Sequence, residues 1–270
     1  MNHDHRMNVR AFLGATLLTP VAARAADHQN TESGLPVVIE DAYTIKKNAI
    51  EAQGYLRYDR TRDDEKGPDR YWLVPRLEFG PARNLQLTVE VPYRIGNATQ
   101  TKEGAATVQA LYNFNNEGEF APALAAQAGV TKPFGQDGRD GGTETSLGLL
   151  ATKSIGSFGR SYVPRRVSVN AIWYHNYNPK PEERRNRYRV GIAYAQPVAN
   201  DFVLVADVYR ETDRMRGEAE NVAELGTRFQ FDPQTVFTVG AGAGFADKSP
   251  RFRLLIGFQR SLSFPWSRPR

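Results

Sequence analysis

The sequence predicts an all-β protein, a single transmembrane antiparallel up-and-down β-barrel of about 12 strands. Alternating apolar and polar runs, most of them ten or eleven residues long, follow one another from residue 49 to residue 264. A tilted strand needs ~9 to 11 residues to cross a bilayer, whereas strands of soluble proteins average ~5 to 6. The segments between the runs alternate long and short, and aromatic residues gather at both ends of one face. These three observations favour a membrane barrel.

The amino terminus has the pattern of a Sec-type signal peptide. Arg6 and Arg10 precede a mostly apolar stretch, and Ala23-Arg24-Ala25 forms a small-residue cleavage site. An amphipathic first helix is the alternative. We therefore divide the chain into a signal peptide (1–25), a periplasmic arm (26–48), an outer-membrane barrel (49–264) and a carboxy-terminal tail (265–270). Whether the arm hangs in the periplasm or plugs the barrel stays open.

The run from Arg76 to Ile95 predicts a β-hairpin with one apolar and one charged face. Leu77 and Phe79 alternate with charged residues before the turn, and the apolar residues after it recur at every second position from 85 to 95. A five-residue turn, Gly80 to Asn84, would place Phe79 opposite Leu85.

We expect twelve strands, at residues 49–59, 71–79, 85–95, 105–114, 122–132, 144–154, 165–175, 187–196, 201–210, 219–231, 235–245 and 251–264. Most long connections fall on one side of the barrel and the short ones on the other. Outer-membrane barrels have long extracellular loops and short periplasmic turns, which places both termini in the periplasm.

The outward parity is apolar at mid-height and aromatic at its ends. The expected girdle at the long-loop end is Tyr58, Tyr71, Tyr93, Trp173, Tyr188, Phe245 and Phe252, and the one at the short-turn end is Phe79, Phe114, Phe202, Phe231 and Phe264. A soluble core has no reason to sort aromatic residues by height, whereas a membrane barrel does.

The inward parity carries charges of both signs and three glycines on one strand. The predicted lumen-lining residues are Glu51, Arg57, Arg76, Glu78, Glu90, Arg94, Arg166, Arg189, Asp207, Glu220, Glu224, Arg228, Gly240, Gly242, Gly244, Arg251 and Arg253. A soluble barrel with this interior would bury many charges at several kcal/mol each unless all were paired. The inverse arrangement, a soluble barrel or sandwich with the charges outside, is the alternative. The glycines would leave a groove for a flat molecule, or would serve curvature or a bulky neighbour.

Composition excludes several other classes. With 40% hydrophobic residues and a mean hydropathy of −0.53, no apolar run is long enough for a membrane helix. The net charge of +5, which removal of residues 1–25 lowers, does not indicate nucleic-acid binding. The chain has no cysteine, and only His28 and His175 remain beyond residue 25. We therefore predict no metal, cofactor or catalytic residue, and consider an outer-membrane enzyme using His175 the weakest alternative.

The chain resembles the MetA-pathway phenol-degradation family of outer-membrane barrels. The matching segments, in order, are Glu40 to Ile45, the hairpin from Arg76 to Tyr93, Ala128 to Gly135, Ala151 to Gly156, Leu204 to Tyr209, and Ser249 to Leu254. One departure is the end of the chain, where such barrels commonly finish on an aromatic residue but residues 265–270 follow Phe264 here. The resemblance implies a channel or transport barrel loosely associated with aromatic-compound catabolism.

These observations together predict an outer-membrane channel that passes small solutes, aromatic or other organic compounds among them, through a narrow lumen of mixed charge. A closed structural or adhesive barrel is the alternative. The expected partners are outer-membrane lipid and lipopolysaccharide, the barrel assembly machinery, and a small solute of unknown identity.

Overall fold

The computed structural model describes residues 26–62, 69–95, 103–135, 142–157 and 163–262. The predicted signal peptide, Phe264 and the carboxy-terminal tail lie outside these residues. The strands are β1 (Ile50–Arg60), β2 (Arg70–Ala82), β3 (Leu85–Glu90), β4 (Tyr93–Ile95), β5 (Glu103–Asn113), β6 (Ala123–Gly135), β7 (Glu144–Ser157), β8 (Pro164–Asn176), β9 (Asn186–Ala199), β10 (Phe202–Thr212), β11 (Ala219–Asp232), β12 (Thr235–Gly244) and β13 (Phe252–Leu262).

The strands form one closed antiparallel barrel. Neighbours in sequence pair with each other, and β1 pairs with β13 along its whole length, from Ile50 opposite Leu262 to Arg60 opposite Phe252. β3 and β4 both lie between β2 and β5, on either side of a break at Val91 and Pro92. Proline has no N–H for the ladder, which accounts for the break. The two segments fill one position, so the described residues form a barrel of 12 strands and the predicted fold class is confirmed.

The hairpin has the predicted faces but not the predicted pairing. Phe79 lies opposite Leu87 and not Leu85, because β2 continues through an irregularity to Ala82, which pairs with Leu85. The turn is only two residues long, and Asn84 adopts a left-handed backbone with φ of 62°. Since the register differs from the expected one by two residues, every side chain keeps its predicted face.

Alternation along the strands separates an apolar outside from a polar inside. Val89, Leu149 and Ile256 are 46%, 66% and 58% exposed on the outer face, whereas Glu78 and Arg228, of inward parity, are at most 1% exposed. Among the described residues, no helix is long and apolar enough to span a membrane.

Aromatic side chains cluster at both rims of the outer face. At the long-loop end Tyr58 packs on Tyr71 and Phe252, with ring centroids 4.9 and 5.6 Å away. At the short-turn end Tyr112 contacts Phe114, and Phe231 contacts Phe237. Both predicted girdles therefore have their counterpart in the described part of the barrel.

The segment before β1, residues 26–49, is folded inside the barrel; we call it the plug. Its centre is fully enclosed: Val37, Ile39 and Ala42 have no exposed surface. Of the two arrangements left open for the arm, it adopts the one inside the lumen, and the name periplasmic arm does not fit it. The reason is packing: four short clusters join its apolar side chains to inward residues of the wall.

Candidate functional site

The plug enters and leaves the lumen at the short-turn end. Ala26 N–H donates to the carbonyl of Pro233 in the β11–β12 turn, at 2.8 Å. At the other end, Gly80 N–H on β2 donates to the carbonyl of Ala49, at 3.0 Å. Between these points the plug crosses the lumen below or at mid-height, so it obstructs the lower half of the barrel.

Backbone groups of the plug are bound mainly by side chains of the wall. Val38 N–H lies between the Asp207 and Glu224 carboxylates, at 2.9 and 3.1 Å, and Ile39 N–H donates to Asp207 at 3.0 Å. Farther round the wall, on β7, Thr152 Oγ1 accepts from Ala42 N–H at 2.9 Å. Buried backbone groups need such partners, and the lumen supplies them without a strand ladder.

Arg228 is the most deeply buried of the predicted lumen charges, with no exposed surface. Its guanidinium donates to the plug carbonyls of Leu35, His28 and Asp27 at 2.6, 3.0 and 3.4 Å. It also bonds Gln259 on the wall. A predicted charge of the lumen is thus a structural clamp on the plug.

Inward glycines make room for the plug. A Cβ at Gly240 would lie 3.0 Å from Pro36, and one at Gly226 would lie 2.5 Å from the same side chain. A Cβ at Gly191 would meet Ile39 at 2.7 Å. The groove that we expected along Gly240, Gly242 and Gly244 is therefore not free: Pro36 occupies its lower end, Gly242 faces Glu224, and Gly244 faces Ser249 and Pro250.

Two acidic groups hold the lower end of the plug. Asp41 accepts from Thr31 N–H at 3.0 Å and lies 3.7 Å from Arg166. Burial raises the pKa of Asp41 to about 7, although Arg166 and the neighbouring N–H groups act to lower it. In the β5–β6 turn, burial acts to raise the pKa of Glu117, but hydrogen bonds from Lys153, Ser154 and Tyr43 outweigh it and hold that pKa at about 2.

Above the plug lies a cavity of about 410 Å³, which we call the vestibule. Its floor is formed by Ser33, Gly34, Val38 and Glu40 of the plug. Its charged wall residues include five arginines, Arg57, Arg76, Arg187, Arg189 and Arg253, and five carboxylates, Glu78, Glu90, Glu211, Asp213 and Glu220. This polar space lies inside the barrel between charged wall residues and the plug, and it is therefore the candidate site.

The arginines of the vestibule are held in ion pairs. Arg253 contacts three carboxylates, those of Asp59, Glu224 and Glu220, at 2.5, 2.9 and 3.5 Å. Arg187 bridges Glu144 and Glu211, at 2.6 Å from each. Arg76 pairs with Glu90 directly across the hairpin.

Aromatic rings support two of the cations. Arg187 lies 4.0 Å from the ring centre of Tyr174, and Arg57 lies 5.5 Å from that of Trp72. Guanidinium groups stacked in this way gain cation–π stabilisation. Trp72 and Tyr174 both line the vestibule.

The predicted lumen residues fall into three groups. Arg57, Arg76, Glu78, Glu90, Arg189, Glu220 and Arg253 line the vestibule, and Arg166, Asp207, Glu224 and Arg228 contact the plug. Glu51 is buried beneath them against Ser261, Arg94 is half-buried opposite Trp72, and Arg251 is exposed at the rim before β13 begins.

The sequence prediction missed several lumen-facing residues, although each lies two positions from a predicted one or at or next to the end of a predicted strand. Asp59 is two residues beyond Arg57, and Arg187 is two before Arg189 on a strand that we began at residue 187. Glu144 and Glu211, which the prediction also missed, are the two carboxylates that pair with Arg187. His175, the weak enzymatic candidate, faces outward between Trp173 and Tyr177, with Nδ1 2.8 Å from Asn186.

No protein-family model matches the chain, and no curated protein resembles it in sequence. The name of the phenol-degradation family therefore stays a prediction. Among solved structures, an outer membrane channel from Pseudomonas putida F1 is 16% identical, with a TM-score of 0.60 over 82% of this chain and 98% of that one.

Two further solved barrels have the same fold. The KdgM porin in complex with oligogalacturonate is 13% identical, with a TM-score of 0.51 over 80% of this chain and 99% of that one. The β domain of the Bordetella autotransporter BrkA is 11% identical, with a TM-score of 0.50 over 80% of this chain and all of that one. Likeness at these identities establishes the barrel fold.

Proposed function

We propose that this protein is an outer-membrane channel for small solutes whose lumen is closed from the short-turn end by its own plug. The observation that carries the proposal is the polar vestibule of about 410 Å³ with the plug as its floor. A barrel that served only as a scaffold has no need of a cavity above a separate internal segment. The outer-membrane location is supported by the apolar outer face with its two aromatic girdles.

The structure of the plug favours a removable obstruction over a permanent core. It contributes no strand to the barrel, and wall side chains, not a backbone ladder, bind its central N–H groups. Both of its ends lie at one rim. The fold is also that of structures described as a channel and as a porin.

A closed structural or adhesive barrel is the second candidate. Its support is the completeness of the closure, since Val37, Ile39 and Ala42 are fully buried against the wall. The two functions differ in whether solutes pass when the plug is free to move.

A reversible disulfide lock separates them, since the natural chain has no cysteine. Ala42→Cys with Thr152→Cys joins the plug to β7 where the two residues already share a hydrogen bond of 2.9 Å. We expect conductance in planar bilayers to be lost on oxidation and regained on reduction.

The matched control joins two wall residues and leaves the plug free. Thr152 and Ser168 face each other on β7 and β8 with hydroxyl oxygens 2.9 Å apart. Thr152→Cys with Ser168→Cys should conduct equally in both redox states. Equal conductance of the locked and reduced plug variant would contradict gating by the plug, and no conductance in any variant would favour the closed barrel.

A further inference from the structure

The inner wall of the barrel is divided into a charged part and an uncharged part. On β5, β6 and β7, no inward side chain is charged among the described positions 105–113, 123–135 and 146–154. The vestibule meets this wall at five polar residues, Thr107, Gln109, Gln127, Thr131 and Ser146. We call these five the neutral arc.

The neutral arc presents hydroxyl and amide groups as neighbouring pairs. Thr107 and Thr131 lie with their hydroxyl oxygens 3.0 Å apart, and Gln127 donates to Gln109 at 2.9 Å. Gln127 is only 5% exposed, yet its Oε1 accepts no hydrogen bond from the protein. A buried amide oxygen without a donor is costly, and this acceptor beside the vestibule is satisfied by no protein group.

On β2, separated from the neutral arc by β3 and β4, the wall has a second buried group without a hydrogen-bond partner. Trp72 lines the vestibule, and its buried indole Nε1 has no acceptor from the protein. A hydroxyl group both donates and accepts. A molecule with several hydroxyl groups can therefore bond the hydroxyl and amide groups of the neutral arc both as donor and as acceptor.

The charged part of the wall does not favour an ion. The floor carboxylate Glu40 and the wall residues together give five arginines and six carboxylates, so the charges nearly cancel. Arg187 and Arg253 are already bound by two and three carboxylates respectively. An entering ion would lose its hydration shell, and the charged side chains that could replace that shell are already paired with each other.

The lower rungs of the same wall already bind uncharged groups. Thr152 on β7 accepts from the plug N–H of Ala42, and Asn113 on β5 donates to its carbonyl at 2.7 Å. Gln86 on β3 accepts from Ile45 N–H at 2.9 Å. Below the charged Glu144 at the start of β7, the chemistry of this wall therefore suits neutral hydrogen-bonding partners.

From this arrangement we infer that the vestibule is a binding site for small uncharged polyhydroxylated solutes, with the neutral arc as its recognition surface. The inference rests on the proposed channel function and names its substrate class. A cavity of about 410 Å³ lies within the ~300 to 1,000 Å³ that small-molecule sites occupy.

Binding is measured with the full barrel in detergent by the fluorescence of Trp72, in a Trp173→Phe, Trp266→Phe background. The probes are D-arabinose, its acid arabinonate, and the cationic amino sugar glucosamine. We expect arabinose to bind several-fold more tightly than either ion. Gln127→Leu and Thr131→Val should each weaken arabinose binding by roughly 2- to 10-fold, as expected for one neutral hydrogen bond.

Thr145→Val is the matched control, because Thr145 lies on the outer face beside the inward Ser146. It should bind arabinose as the parent does. Heat-modifiable migration confirms that each variant is folded. Tighter or equal binding of arabinonate or glucosamine, or equal binding by Thr131→Val and the parent, overturns the inference.

Flux into proteoliposomes separates this inference from the channel function. Arabinose binding with no flux of any probe, with the plug locked or free, overturns the channel and leaves the binding site. Equal flux of the three probes without preferential binding overturns the binding site and leaves the channel.

Discussion

Removal of the Arg228 side chain should weaken the docking of the plug while the ring of paired strands stays closed. The guanidinium makes two good hydrogen bonds to plug carbonyls, those of Leu35 at 2.6 Å and His28 at 3.0 Å. Hydrogen bonds from a charged donor contribute ~1.5 to 3 kcal/mol each, so Arg228→Ala should weaken docking of the plug by about 3 kcal/mol or more. Each ~1.4 kcal/mol is a factor of ten, which gives a change of roughly a hundredfold or more.

Hydrogen exchange followed by mass spectrometry measures this change. Peptides that cover Val38, Ile39 and Ala42 report the docked N–H groups, and we expect their exchange to accelerate by roughly a hundredfold in Arg228→Ala. Exchange in β1 and β13 should stay slow, because the backbone ladder between them pairs the two strands with each other and not with the plug.

Arg260→Ala is the control for this experiment. Arg260 lies on β13, also towards the short-turn end, but it faces outward and donates to Thr235 at 3.1 Å. It should leave exchange in the plug unchanged. Unchanged protection of the plug in Arg228→Ala, or the same loss in both variants, would refute the clamp.

Two further outcomes are expected. Val89→Arg puts a cation on the apolar outer face, which should destabilise the barrel in the bilayer by ~2 to 4 kcal/mol. Thr88→Arg, one residue away, should cost less because it enters a lumen that already holds Arg76 and Glu90. Equal loss of the heat-modifiable folded barrel in both variants would contradict the assignment of the two faces. Burial raises the pKa of Asp41 to about 7, above its unfolded value of ~3.9, so the plug should be docked most stably below that lower value and progressively less so as pH rises to about 7. Burial also raises the pKa of Glu32 and of Glu40 in the plug. Exchange of the plug, corrected for its intrinsic pH dependence, should therefore increase more steeply over this range in the parent than in Asp41→Asn. The same profile in both proteins would contradict a role for the Asp41 carboxyl.

Much of the barrel could be predicted because its signal is local. Alternation from Leu85 to Val89 assigns each side chain to a face, and a strand keeps that assignment even when its register moves by two residues, as in the hairpin. The register itself was wrong because nothing in Pro81 and Ala82 indicates that β2 continues through them.

The plug could not be predicted because its partners are distant in sequence. Val38 contacts a side chain 169 residues away, and Ala42 one 110 residues away. Its own residues have no strand or helix periodicity. The available signals were the apolar cluster from Leu35 to Ile39 and the inward glycines such as Gly191 and Gly226, whose purpose becomes clear only when the segment that they accommodate is known.

The entry and exit of the plug at one rim determine how it can move. The segment from residue 26 to residue 49 is a loop that dips into the barrel, not a thread that passes through it. It can withdraw without drawing chain through the ring of strands, and the seam of β1 and β13 stays paired throughout. Under the proposed channel function, the barrel and its plug therefore have separate lifetimes: the backbone ladder stays closed while the docked loop is released and returns.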